Sequence, residues 1–138
     1  MIERAMNKPE KLPPLSETQM EIMKVVWDRK EATLGDIWTE LSGQRDVARN
    51  TIQTLLTRLV EKGWLKTRMV KKAYYYSPTV ARDSSLSAAL KRFVSTAFGG
   101  STEELMTALL DGKALTKEEA DRIRLLIEQA EHREDKKP

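Results

Sequence analysis

The chain has 138 residues, 40% hydrophobic and 33% charged with only 6% aromatic, a length that suits one domain or two very small ones. No apolar run approaches the ~20 residues of a membrane span, and the helical recurrence of apolar residues excludes a wholly disordered chain. With no cysteine there are no disulfides, thiolate metal sites or cysteine nucleophiles, and the single histidine, His132, lies in a charged tail where a surface position is expected. Residues 1–14 are mixed polar, end in Pro13-Pro14 and contain no apolar signal core, so a flexible leading segment of a cytoplasmic protein is expected.

The charge is uneven. Residues 1–80 carry fourteen Lys and Arg against ten Asp and Glu, whereas residues 81–138 carry ten against eleven. Residues 45–72 hold Arg45, Arg49, Arg58, Lys62, Lys66, Arg68, Lys71 and Lys72 against only Asp46 and Glu61. Such a basic stripe attracts a phosphate backbone through counterion release, although a merely solvated face has the same net charge.

In chain order, Ser16 and Gln19 form an S-x-x-Q capping box, with Leu15 before it, opening a helix to about Arg29. Its apolar face is expected to hold Met20, Met23, Val26 and Trp27, with Ile22 at the edge. Thr33 and Asp36 form a second box ahead of Leu34, Ile37, Trp38 and Leu41, a short helix broken at Ser42-Gly43. A third helix spans about Arg49 to Lys62 and stops at Gly63, which is free to take the left-handed closing conformation. Its apolar side is Ile52, Leu55, Leu56, Leu59 and Val60; its opposite side is Asn50, Gln53, Thr54, Thr57, Arg58 and Glu61. An ordinary solvated helix in so charged a chain would be mostly Glu and Lys. Amides pair bidentately with adenine, Arg with guanine or phosphate, and Thr with a base or a thymine methyl, so this face is suited to base edges.

After Gly63 the period changes to two. Trp64–Val70 and Ala73–Tyr76 are β-prone runs around Lys71-Lys72, giving a hairpin with a basic tip that Pro78 stops. Tyr74 and Tyr76 share one face and Tyr75 the other, so at least one packs on the helices. Three helices followed by a basic hairpin make a winged helix-turn-helix, in which the third helix enters the major groove and the hairpin straddles the adjacent backbone. The expected DNA contacts are Arg49, Asn50, Thr51, Gln53, Thr54, Thr57, Arg58, Lys62, Lys71 and Lys72. A winged helix that binds only protein is the alternative, distinguished by salt-insensitive binding and no competition by duplex DNA. An enzyme is disfavoured: there is no acid–base pair at useful spacing, no glycine-rich phosphate loop and no metal cluster, and no cofactor is expected.

Residues 81–130 read as three further helices and 131–138 as a charged, frayed tail. Asp83 is the expected N-cap of a helix with Leu86, Leu90, Phe93, Val94 and Ala97, ended by Gly99-Gly100. Ser101 and Glu104 box a short helix with Leu105, Met106, Leu109 and Leu110, stopped near Gly112; Thr116 and Glu119 box a longer one with Ala120, Ile123, Leu126, Ile127 and Ala130. Three helices without staples rarely supply more than ~3–5 kcal/mol alone. A second copy is therefore expected to cover Leu86, Leu90, Phe93, Val94, Leu105, Met106, Leu109, Ile123, Leu126 and Ile127, giving a homodimer on a palindromic operator; the alternative is that the three helices fold back on the first domain of their own chain.

The stretches Leu15-Ser16-Glu17, Glu21–Trp27, Thr51-Ile52-Gln53-Thr54-Leu55-Leu56-Thr57-Arg58-Leu59, Lys62-Gly63 and Tyr74–Ser77 resemble the penicillinase-repressor family, of BlaI/MecI type, from Leu15 to about Gln129. The resemblance implies a winged-helix homodimeric repressor, typically silencing β-lactam-resistance genes, with interlocked C-terminal helices. It also implies a regulatory protease as partner, but the family's cleaved Asn-Phe bond aligns with Ala108-Leu109, which does not match it. The copper-responsive branch uses C-terminal cysteines, which this chain lacks. Where the family often has Ser before the third helix stands Ala48, losing a cap usually worth ~1 kcal/mol and leaving Asp46 or a DNA phosphate to meet the first N–H groups.

Overall fold

The computed structural model describes residues 8–135. A 3-10 turn at Pro9–Lys11 precedes α1 (Glu17–Arg29), α2 (Leu34–Ser42), α3 (Arg49–Glu61), β1 (Leu65–Val70), β2 (Ala73–Pro78), α4 (Arg82–Phe98), α5 (Thr102–Asp111) and α6 (Lys117–Asp135). This is the mainly α winged-helix order expected from the sequence. The chain divides into two compact units, one ending at Leu90 and the other beginning at Lys91, so the division falls within α4.

The first unit is built on one apolar core. Ile22, Met23 and Val26 of α1, Ile37 and Leu41 of α2, and Ile52, Leu56 and Leu59 of α3 are buried with Ala32, Trp64, Leu65, Tyr76 and Val80. The buried arc of α1 differs from the one its spacing suggests: Ile22 and Val25 are buried, while Met20 and Trp27 are half-buried. The cause is that α1 is contacted by α2, α3 and β2 together, so more than one stripe is covered.

Local signals at the helix ends operate as predicted. Ser16 Oγ accepts from the Gln19 N–H at 3.2 Å while Gln19 Oε1 accepts from the Ser16 N–H at 2.9 Å. Thr33 and Asp36 form the same reciprocal pair at 3.0 and 3.1 Å. At the end of α3, Gly63 has φ 91°, its N–H donates to Val60 O at 3.1 Å, and the Trp64 N–H donates to Leu59 O at 2.9 Å. This double closure requires a left-handed residue at position 63, and it turns the chain straight into β1.

The hairpin pairs Leu65 with Pro78 through Val70 with Ala73, leaving Lys71 and Lys72 as a two-residue turn. Pro78 is the last strand residue. Ala32 and Tyr76 exchange backbone hydrogen bonds of 3.0 and 2.8 Å, so the loop between α1 and α2 adds a third edge to the hairpin. Each tryptophan fastens a connecting segment: the indole N–H of Trp64 donates to Pro13 O (2.9 Å), that of Trp27 to Val80 O (3.0 Å) and that of Trp38 to Val47 O (3.1 Å). Within the leading segment Pro9 is buried and Leu12 and Leu15 pack against the core; residues 1–7 lie outside those described.

Helix starts beyond residue 80 depart from expectation twice. The α4 helix begins at Arg82, so Asp83 lies in its first turn and pairs with Arg82 at 2.8 Å instead of capping. Ser101 Oγ does cap the Glu104 N–H at 3.1 Å, but the return bond of the box is missing because the Ser101 N–H donates to Phe98 O at 2.9 Å. Thr116 and Glu119 make both bonds of theirs. The turn after α5 places Lys113, not Gly112, in the left-handed region, with φ 55°. The α6 helix continues to Asp135, past the point at Glu131 where fraying was expected, through residues of mostly good helix propensity; residues 136–138 lie outside those described.

Gly63→Ala forces a Cβ into the left-handed region, and a loss of about 1–2 kcal/mol is expected. The urea midpoint of the full chain reads this, the control being an alanine at the exposed, right-handed Gly43.

Candidate nucleic-acid interface

Burial sets the rotation of α3. With Ile52, Leu56 and Leu59 buried and Leu55 and Val60 half-buried, Arg49, Asn50, Thr51, Gln53, Thr54, Thr57, Arg58 and Glu61 are all exposed. The side-chain amides of Asn50 and Gln53 make no hydrogen bond to any described residue, so each keeps a donor and an acceptor outward. The threonines are different. Thr54 Oγ donates to Asn50 O and Thr57 Oγ to Gln53 O, both at 3.0 Å. Their protons are turned back to the helix, and a lone pair and a methyl remain for a base amino group or a thymine methyl.

The entrance to α3 is held by Trp38, whose indole binds the Val47 carbonyl, while the Arg49 guanidinium lies 5.7 Å from the centre of the Trp38 ring. Ala48 occupies the N-cap with no side-chain cap bond, and Asp46 does not substitute for one. At the other end Lys62 is exposed.

The basic stripe is not uniform. Arg45 donates to Glu21 at 2.8 Å and to Thr18 at 3.0 Å, and Arg68 donates twice to Glu31, at 2.6 Å each. No ion pair forms among the described residues at Arg49, Arg58, Lys62, Lys66, Lys71 or Lys72. Lys71 and Lys72 sit at the hairpin tip with φ 50° and 69°, an arrangement that normally selects Asn-Gly and that holds two ammonium groups at the apex.

Sequence reasoning missed two residues beside this face. Thr67 of β1 and Tyr74 of β2 line a groove of about 240 Å³ with Gln53, Thr57, Val60, Glu61 and Tyr76. The period-two alternation already put Tyr74 with Tyr76; the cross-strand pairing of Thr67 with Tyr76 supplies the rest. Tyr76 is buried, and burial raises its hydroxyl pKa.

In the helices that follow, Leu90, Phe93, Leu109, Leu126 and Ile127 are exposed, Phe93 by 54% and Leu126 by 58%. Leu86, Leu105, Met106 and Ile123 are half-buried. Val94 is buried within its own chain at 9%, so it is not part of the open surface. Leu110 and Leu125, absent from the expected set, are exposed by 58% and 55%; Leu125-Leu126-Ile127 is the run that signals a face wider than one stripe. Ala108 and Leu109 lie inside α5, both exposed. Among the described residues, no group of three or more His, Cys, Asp or Glu is arranged to hold a metal, and no helix is long and apolar enough to cross a membrane.

Over residues 15–129 the chain matches the family described as Penicillinase repressor. It is 27% identical over 123 residues to the penicillinase repressor of Bacillus licheniformis, covering 89% of this chain and 96% of that protein. It is 26% identical over 113 residues to the methicillin resistance regulatory protein MecI of Mammaliicoccus sciuri, covering 82% and 92%. A likeness of fold alone relates it to a MarR mutant of E. coli, at 18% identity, 84% of this chain, 77% of that one and a TM-score of 0.50.

The hydrogen bonds from Arg68 hold the Glu31 carboxyl below the usual carboxylate range. A depressed folded value means that this pair's contribution is complete above the ordinary carboxylate range and disappears as pH falls through the depressed value. An NMR titration of the Glu31 carboxyl carbon is expected to show that low midpoint, and Arg68→Ala to return it to the ordinary range.

Proposed function

The chain belongs to the penicillinase-repressor family, and on that premise we propose that it is a sequence-specific DNA-binding repressor acting as a homodimer on a palindromic operator. The family is one of repressors, and the chain is not an enzyme. Residues 15–80 are assigned to DNA, residues 81–130 to dimerisation, and the cytoplasm is its compartment.

The observation that carries the DNA reading is the outward face of α3. A helix that keeps two free amides, two back-bonded threonines and Arg58 on one side, opposite a fully apolar side, offers the donor, acceptor and methyl groups that major-groove edges present in return. In this reading Asn50, Gln53, Thr54 and Thr57 meet base edges, Arg58 a base or phosphate, and Arg49, Thr51, Lys62, Lys71 and Lys72 the backbone. The two groups fail differently. Gln53→Ala is expected to cost about 1–3 kcal/mol on a selected operator and little on random duplex. Lys71→Ala with Lys72→Ala is expected to weaken all duplex binding and flatten the slope of log K against log salt by about 0.9 per lost contact. Fluorescence anisotropy at several salt concentrations, with genomic fragments selected by the chain itself, reads both; equal loss on operator and random duplex for Gln53→Ala removes the base-reading role.

The dimer reading rests on Leu90, Phe93, Leu109, Leu110, Leu125, Leu126 and Ile127, which are large, apolar and open to water in the single chain. Two-fold pairing of the chain supplies two copies of α3, which suits a palindromic operator whose half-sites are a helical turn or its multiple apart. Sedimentation equilibrium of the full chain is expected to give twice the 15.8 kDa of one chain, and Phe93→Glu with Leu126→Glu to shift it toward the monomer. A monomer at every concentration for the unsubstituted chain contradicts it. A protease acting at Ala108-Leu109 would first have to unwind α5, in which Ala108 O accepts the Gly112 N–H at 3.1 Å.

A further inference from the structure

We propose that Glu31 and Arg68 form a charge clamp that fixes the hairpin against the loop between α1 and α2, making Arg68 a positioning residue for the wing and not one of its phosphate contacts. The inference rests on the DNA-binding reading above and deepens it, because it divides the basic residues of the wing by task.

Three observations converge. Arg68 meets the Glu31 carboxylate in a two-pronged arrangement, Nε to one oxygen and a terminal nitrogen to the other, both at 2.6 Å. This parallel geometry is the one in which an exposed Arg–carboxylate pair is held rather than transient. Next to it, Ala32 and Tyr76 exchange two backbone hydrogen bonds, so the charge pair and a β-bridge join the same loop to the hairpin. Finally, Arg68 stands opposite Tyr75 in the strand register, with its guanidinium carbon 5.1 Å from the centre of that ring. Two sides of the guanidinium are thereby engaged, its donor edge by Glu31 and its flat face by Tyr75.

The alternation of the strands gives the division its direction. Thr67, Tyr74 and Tyr76 line the groove beside Gln53 and Thr57, and Arg68 and Tyr75 occupy the other face of the hairpin. Lys71 and Lys72 at the tip and Lys66 on β1 make no ion pair among the described residues. The wing thus carries three cations without an ion pair among the described residues and one, Arg68, that is paired within the protein although its side chain remains exposed by 58%. A wing whose angle to α3 is fixed before DNA arrives selects the duplexes whose backbone lies where Lys71 and Lys72 already are.

The test uses the full chain with Arg68→Ala, Glu31→Gln, both together, and the charge-reversed pair Glu31→Arg with Arg68→Glu. Amide exchange at Ala32 and Tyr76 is read without DNA, and the salt slope and operator-over-random preference are read with duplexes selected by the chain and with poly(dI-dC). The clamp predicts that either single change speeds exchange at both amides by about threefold, that the double change is no faster than the singles, and that the reversed pair restores the original rate. It predicts that Arg68→Ala lowers operator preference while the salt slope stays where it was. A slope flattened by about 0.9 with exchange unchanged makes Arg68 an ordinary phosphate contact and overturns the proposal. Failure of the reversed pair to restore exchange overturns it too. If the unsubstituted chain binds no duplex, the proposed function falls, and the exchange rates still decide whether the clamp exists.

Discussion

The arrangement of the first unit depends on the rotational phase of α3. Ile52, Leu56 and Leu59 are removed from water entirely, and on a helix of 3.6 residues per turn their burial leaves no choice about what faces outward. Removing three such side chains from water contributes on the order of 1.5–3 kcal/mol each before the entropy of ordering them is counted, far more than any single polar contact on the outer face. The polar face is therefore held by the core and not by itself. That is why Asn50 and Gln53 are able to keep their hydrogen-bonding groups unengaged: nothing in the fold needs them.

Around this helix the connections are secured by a repeated device. Trp64, Trp27 and Trp38 each bury an aromatic body partly or wholly in the core and use the indole N–H to hold a carbonyl of an irregular segment, at Pro13, Val80 and Val47. A loop carbonyl near an apolar core would otherwise be left without a donor, so one side chain both fills space and satisfies the backbone. The bond to Val47 matters most for the site because it fixes the turn that delivers α3, while Gly63 fixes the turn that leaves it. The wing is joined separately, through the bridge between Ala32 and Tyr76. The recognition face and the wing are thus referred to the same core by different routes.

Much of this was legible in the residues because the signals were local. The boxes at Ser16/Gln19 and Thr33/Asp36, the glycine at 63 and the opposed faces of α3 each follow from spacing alone, and each appears with its expected partners. Other features were not, and for identifiable reasons. The breadth of the buried arc on α1 depends on having neighbours on several sides, which periodicity does not encode. Lys71-Lys72 carries no turn signature, since lysine has no intrinsic preference for the left-handed region and its φ there is set by the paired strands on either side. Asp83 and Ser101 have the right side chains, but one stands a residue inside its helix and the other has its N–H taken by Phe98 O. Charge counting failed in a similar way: Arg45 and Arg68 add to the stripe in sequence and are joined to Glu21 and Glu31 in space, carboxylates more than twenty residues away.

The central claim is that the outer face of α3 meets base edges. The most direct measurement is the pair of side-chain amide signals of Asn50 and Gln53 in an NMR titration of the full chain with a selected duplex and with a scrambled one. The account predicts that both signals move with the selected duplex and stay near their free positions with the scrambled one. Signals that remain fixed with the selected duplex, while resonances of α4 to α6 shift, would contradict it.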